Sequence, residues 1–141
     1  MKNFIIKIKG TQGLGDEKSV IEFSSEGTLT REGEKYLLSY SEDAVIDGGK
    51  IETLLTADGK NRVILERKGS LNSKLLIEKG VRNNCFYSVP EGSLTLGIFG
   101  KEVDNRLCDT GGKIKMVYTL DANMKLISEN TVEISVREIK N

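Results

Sequence analysis

The chain has 141 residues, with 21 basic and 21 acidic side chains and a formal net charge of zero. That length suits one domain, residues 1–141, and the charge balance supplies no global field to draw in nucleic acid or an anionic membrane. Histidine is absent and only two cysteines occur, which excludes imidazole general bases, Ser-His-Asp and Cys-His nucleophiles, His-ligated metals and a four-thiolate zinc site.

Taken from the N-terminus, the longest early apolar run is Phe4-Ile5-Ile6. It is far shorter than the apolar stretch of a secretory signal, and no run approaches the roughly 20 residues of a membrane helix. The expectation is a cytoplasmic chain with Cys85 and Cys108 reduced. Phe4, Ile6 and Ile8 alternate with polar neighbours as a strand does. The GTQGLG segment, with Gly10, Gly13 and Gly15, matches neither G-x-G-x-x-G nor Walker A spacing and precedes no helix pattern. It reads as a hairpin loop rather than a phosphate cradle. A long strand follows from Ser19 to Thr30, with Ile21, Phe23, Ser25, Gly27 and Leu29 on one face. A glycine inside such a row marks a bend or a close backbone approach, so Gly27 is the expected corner.

Tyr36, Leu38 and Tyr40 form the next row, and Glu42 continues their parity. Val63 and Leu65 form another, continued by Arg67. Leu94, Leu96 and Ile98, then Ile114, Met116, Tyr118 and Leu120, and finally Val132, Ile134 and Val136 complete the pattern. Ser128 and Asn130 share the parity of the last row and read best as a bulge. Val103 and Leu107 allow at most a turn or two of helix. Turn residues separate the rows: Arg31–Glu34, Asp47–Gly49, Ala57–Lys60, Lys68–Ser70, Glu78–Gly80, Pro90–Gly92, Asp109–Gly112 and Asp121–Asn123. Glycine, asparagine and aspartate supply the positive φ of tight hairpins. About ten strands in one small chain would leave two long edges and a bare apolar face if the sheet stayed flat. Closure removes both problems. The predicted fold is all-β, a closed up-and-down antiparallel barrel of about 8–10 strands, with a two-sheet sandwich as the alternative.

In a barrel, the informative residues are polar ones on the apolar face. Glu42 and Arg67 both point inward by parity, and a lone buried charge costs several kcal/mol. They are expected to pair, to reach water at the barrel mouth, or to meet a ligand, within a network that includes Tyr40, Tyr118 and Thr53. Arg67 suits a carboxylate or phosphate through its planar fork, with Tyr40 and Tyr118 as hydroxyl donors. Glu22, Glu26, Glu42 and Glu78 do not read as an acid–base dyad, since most lie on solvent-facing positions. The basic stretch Lys60, Arg62, Arg67, Lys68, Lys74, Lys79 and Arg82, expected to face largely outward apart from Arg67, lacks interleaved aromatics, which argues against nucleic acid.

Several short motifs in order and spacing resemble the bacterial YwiB-like family, also called DUF1934. They are Glu26-Gly27, Tyr40-Ser41-Glu42, Arg67-x-Gly69, Tyr87 with Pro90 and Gly92, Gly112-x-Ile114, and Tyr118. The resemblance covers almost the whole chain and implies a lipocalin-like calycin barrel. It implies no activity, because the family's role is itself undefined. The leading expectation is a non-enzymatic barrel that takes a small polar or anionic ligand at its mouth, through Arg67, Glu42, Tyr40 and Tyr118. The alternative is a protein–protein module or homodimer with a filled barrel, in which outward Leu37, Leu54 and Val117 form a patch. No metal, no cofactor, no nucleic acid and no membrane partner is expected.

Overall fold

A computed structural model describes residues 3–43, 49–69, 72–89 and 92–140. The predicted turn residues Asp47, Gly48, Ser70, Pro90 and Glu91 lie outside them. Ten strands are present: β1 (Phe4–Leu14), β2 (Glu17–Glu32), β3 (Lys35–Asp43), β4 (Lys50–Asp58) and β5 (Arg62–Gly69), then β6 (Asn72–Glu78), β7 (Arg82–Val89), β8 (Gly92–Cys108), β9 (Gly111–Ala122) and β10 (Lys125–Glu138). Each pairs antiparallel with its successor, and β1 pairs with β10, so the sheet closes into a barrel. The closing seam runs from Phe4 opposite Glu138 to Gly13 opposite Glu129. A further bond from Ile139 N to Asn3 O, 2.9 Å long, extends it.

Period-two alternation explains the interior. Phe4, Ile6 and Ile8 of β1, Leu38 of β3, Leu55 and Ala57 of β4, Val63 and Leu65 of β5, and Leu75 and Ile77 of β6 are all buried in one core with Ile98, Ile114, Met116 and Ile134. Cross-strand register puts Leu38, Leu55, Leu65 and Leu75 side by side, a four-leucine layer across β3–β6. Burying each leucine stabilises the fold by about 1.5–3 kcal/mol. The helical turn allowed around Val103 and Leu107 does not form. Those residues lie in β8, where alternate side chains reach the core and no helical hydrogen bonding competes.

Glycines act where strands crowd. Among the described residues, the β2–β3 ladder runs from Gly27–Tyr40 to Glu32–Lys35, and a methyl at Gly27 would collide with the Ser39 carbonyl and the end of Ile6. This is the close backbone approach that a glycine inside that row implies. Gly10 and Gly13 are not in a loop: they continue β1 in register with β2 and β10, and only Gly15 (φ 64°) forms the turn.

Strand β8 serves two layers. A one-residue bulge between Gly100 and Glu102 breaks its register with β9 and lets it bend. At the bend, Gly100 meets the end of β6, exchanging bonds with Gly80 N (2.8 Å) and Val81 O (3.3 Å). Beyond it, the β8–β9 hairpin folds over the barrel end that carries the β2–β3 and β4–β5 turns. Asn105 Nδ2 donates to Gly59 O at 2.8 Å, and Tyr36 Oη donates to Asp109 Oδ1 at 3.0 Å. Gly100→Ala should lower stability by about 1–3 kcal/mol, the usual cost of overpacking. The added methyl would enter the Glu78 backbone rather than a flexible side chain. Thermal denaturation checks this, and an unchanged midpoint would remove the crossing from the account.

Candidate functional site

The interior is divided by register. One step beyond the leucine layer, toward the β3–β4 and β5–β6 turns, Tyr40, Thr53, Arg67 and Ser73 stand side by side. One step further lies Glu42, opposite Ile51. A polar row therefore rests on a hydrocarbon floor. From the far side of the barrel come Tyr118 and, opposite it on β10, Asn130. Ser128 and Asn130 are both buried, and Asn130 Nδ2 donates to Ser128 Oγ at 3.0 Å. A register shift between Leu126 and Ser128 marks the expected bulge, and after it Ser128 and Asn130 keep the inward parity of Val132 and Ile134.

Glu42 and Arg67 meet as expected. Arg67 Nε lies 3.5 Å from Glu42 Oε1, with the side chains 27% and 19% exposed. Thr53 Oγ1 donates to the same carboxylate oxygen at 3.3 Å. The contact is loose: Arg67 Nε is buried and has no hydrogen-bond partner, and neither has Ser73 Oγ, although Ser73 is only 8% exposed. An unmet buried polar group costs about 1–3 kcal/mol, and more when charged. Ser73 was missed in the sequence, although it breaks the apolar row of Leu75 and Ile77 as plainly as Arg67 breaks that of Val63 and Leu65.

Burial pushes the Tyr40 hydroxyl up to about 12, opposed by the Arg67 cation and reinforced by the Glu42 carboxylate. Tyr118 is raised for the same leading reason, burial, and is likewise opposed by Arg67. Both phenols are thus held as neutral donors beside the guanidinium. Phe23 packs against Tyr40 with ring centroids 6.3 Å apart.

Other predicted features fall elsewhere. Leu37 and Leu54 lie on β3 and β4 while Val117 lies on β9, on the opposite side of the barrel, so the three form no common patch. Cys85 is buried, Cys108 is exposed and both are free. Arg82 and Asp121, assigned no partner from the sequence, form a clasp on the outer surface, with Nη2–Oδ1 2.6 Å and Nε–Oδ2 3.0 Å. The guanidinium lies over Gly97, where any side chain would displace it. That hydrogen bond from Arg82 holds the Asp121 carboxyl below its usual range.

The molecule is thus a closed ten-stranded antiparallel barrel whose interior is apolar at one end and polar at the other. Residues 6–134 match the family model described as a domain of unknown function, DUF1934, and the chain belongs to that family. The crystal structure of the ywiB protein from Bacillus subtilis superposes with a TM-score of 0.86 at 20% identity. The match covers 99% of this chain and 93% of that one, and it shows a shared fold. The comparison with curated proteins finds no match. Among the described residues, no helix is long and apolar enough to cross a membrane.

The linkage sign for Tyr40 is fixed by its raised pKa. From pH 10 the unfolded chain loses this proton while the folded one keeps it until about 12, so stability falls as pH rises through that window. Ultraviolet titration, assigned with Tyr40→Phe, should show one phenol ionising near 12. Glu42→Gln should move it down and Arg67→Met up; a Tyr40 that ionises at 10 in the native protein would contradict the buried network.

Proposed function

We propose that this barrel is a non-enzymatic binding protein that takes a small anionic ligand in the polar end of its interior, with Arg67 as the anchor. The observation that carries this reading is the pair of buried donors without acceptors, Arg67 Nε and Ser73 Oγ, which face each other across β5 and β6. Their shared need is an acceptor, and a carboxylate or phosphate oxygen fits both. Tyr40 and Tyr118 supply neutral hydroxyls, and Glu42 Oε1 stands 3.5 Å from the same Arg67 Nε without making a hydrogen bond to it.

The rim refines the ligand. Leu94 on β8 shares the register row of Arg67 and Ser73 by way of β7, yet is 52% exposed. Apolar surface above a cationic donor suits an organic acid with a hydrocarbon part better than a bare inorganic ion. The calycin-like resemblance supports the same picture as an analogy of fold. So does the lack of any histidine or recognisable catalytic motif for the enzymatic alternative.

Native mass spectrometry of the protein purified from its own host should show a retained small molecule. Arg67→Ala should lose that adduct and the thermal stabilisation it brings. Ser73→Ala should behave differently: it removes an unmet hydroxyl, so the ligand-free protein should be unchanged or gain up to about 1 kcal/mol while retention weakens. Wild-type protein without adduct, or retention indifferent to both substitutions, would remove the interior site.

A second reading, self-association, rests on exposed Leu14, Val20 and Ile21 in the β1–β2 arm. Among the described residues, β2 before Gly27 pairs only with β1. Light scattering separates it from the first, since a monomer at high concentration excludes it.

A further inference from the structure

The outer surface of β2, β1, β10, β9 and β8 is a groove of about 720 Å³, continued by a smaller one of about 340 Å³ beside Ile5, Ser135 and Gly112. Register sorts its outward side chains into rows across the strands. One row reads Glu22, Lys9, Glu133, Lys115, Asp104. Its signs alternate, so every cation has an acidic cross-strand neighbour, and Lys9 approaches Glu22 to 4.0 Å. That is how a strand surface is made soluble without self-repulsion.

The adjacent row reads Ser24, Lys7, Ser135, Lys113, Arg106 and contains no acid. Arg106 turns back to Asp104 at 3.2 Å. Lys7 and Lys113 have no ion-pair partner among the described residues. They flank Ser135 on either side, and with strands about 4.8 Å apart their backbones stand about 10 Å apart. Arg137, two residues beyond Ser135 on the same face and likewise unpaired among the described residues, adds a third cation beside the smaller groove. Gly112 lines that groove next to Lys113 without a side chain; its φ is 116°, and a methyl there would strike the Arg106 carbonyl of β8. Stability gains nothing from like charges gathered around a neutral serine when the neighbouring row alternates. The arrangement is a concave surface with three uncompensated cations and a hydroxyl at its centre.

We propose that Lys7, Ser135, Lys113 and Arg137 form an external binding site for the phosphate group of a small phosphorylated molecule. The site lies on the outside of the barrel wall and is independent of the interior donors. The two lysines bracket the oxyanion as point charges, the serine hydroxyl donates between them, and Arg137 supplies the planar fork.

Inorganic pyrophosphate, titrated calorimetrically at low ionic strength, is the probe. One-to-one binding is expected, with amide shifts on β1, β9 and β10 and an affinity that falls as salt rises. The double variant K7A/K113A should weaken it at least tenfold. K9A/K115A, which removes the same charge from the alternating row, should change it less than twofold. R67A should leave it unchanged. Absence of pyrophosphate binding overturns the proposal, and so does equal loss in the two lysine pairs, which would mean diffuse attraction. Loss on R67A instead would place the anion inside the barrel and overturn it equally.

Discussion

The structure depends on the layer formed by Leu38, Leu55, Leu65 and Leu75. Four consecutive strands contribute one leucine each at matched register, and all four are fully buried. Together they stabilise the fold by on the order of 6–12 kcal/mol in area terms. That is comparable to the whole net stability of a domain, about 5–15 kcal/mol. Because this layer and its neighbours close the interior from below, the next layer can hold a guanidinium, a carboxylate and hydroxyls that would be ruinous in a smaller core. The loose Arg67–Glu42 contact is tolerated by the apolar half of the barrel, and it contributes little to holding it.

This separation gives the two ends different work. The end crossed by the β8–β9 hairpin is tied by side chains to turn backbones and by the bend at Gly100. The other end gathers the polar side chains, and there the β2–β3 backbone ladder ends at Gly27 and Tyr40, with Ser25 Oγ still donating to Ser41 O. Hydrogen-bonding capacity is concentrated where strands diverge and side chains retain some contact with water.

Much of this was legible from parity alone. Glu42, Arg67, Tyr40 and Tyr118 each continue an alternating row, and each is inside, because a strand cannot change face without a bulge. Gly27 was legible as a point of close backbone approach because a glycine inside an apolar row has no packing role of its own. What parity could not give is the partner across the sheet. The Arg82–Asp121 clasp spans β7 and β9 over Gly97, so it depends on three strands in register and leaves no trace in any one of them. The bend of β8 was misread as a possible helix because Val103 and Leu107 are four apart, while the bulge at Gly100 had already shifted the inward positions. Gly10 and Gly13 were misplaced for a related reason: a glycine-rich stretch resembles a loop until both neighbouring strands are known. Ser128 and Asn130 read best as a bulge, and the structure contains that bulge together with a buried polar pair.

The seam between β1 and β10 makes the order of strands a cycle. Every strand touches the one before and the one after, and the first touches the last through ten register pairs and an extra bond beside Phe4. Nothing in the wall marks where synthesis starts. A gene that fused the two ends through a short spacer and began at another tight turn, such as the one around Gly59, would encode the same ring of neighbours in rotated sequence. Such circular permutants offer a way to place a reporter or a tether at either rim while leaving the wall itself intact.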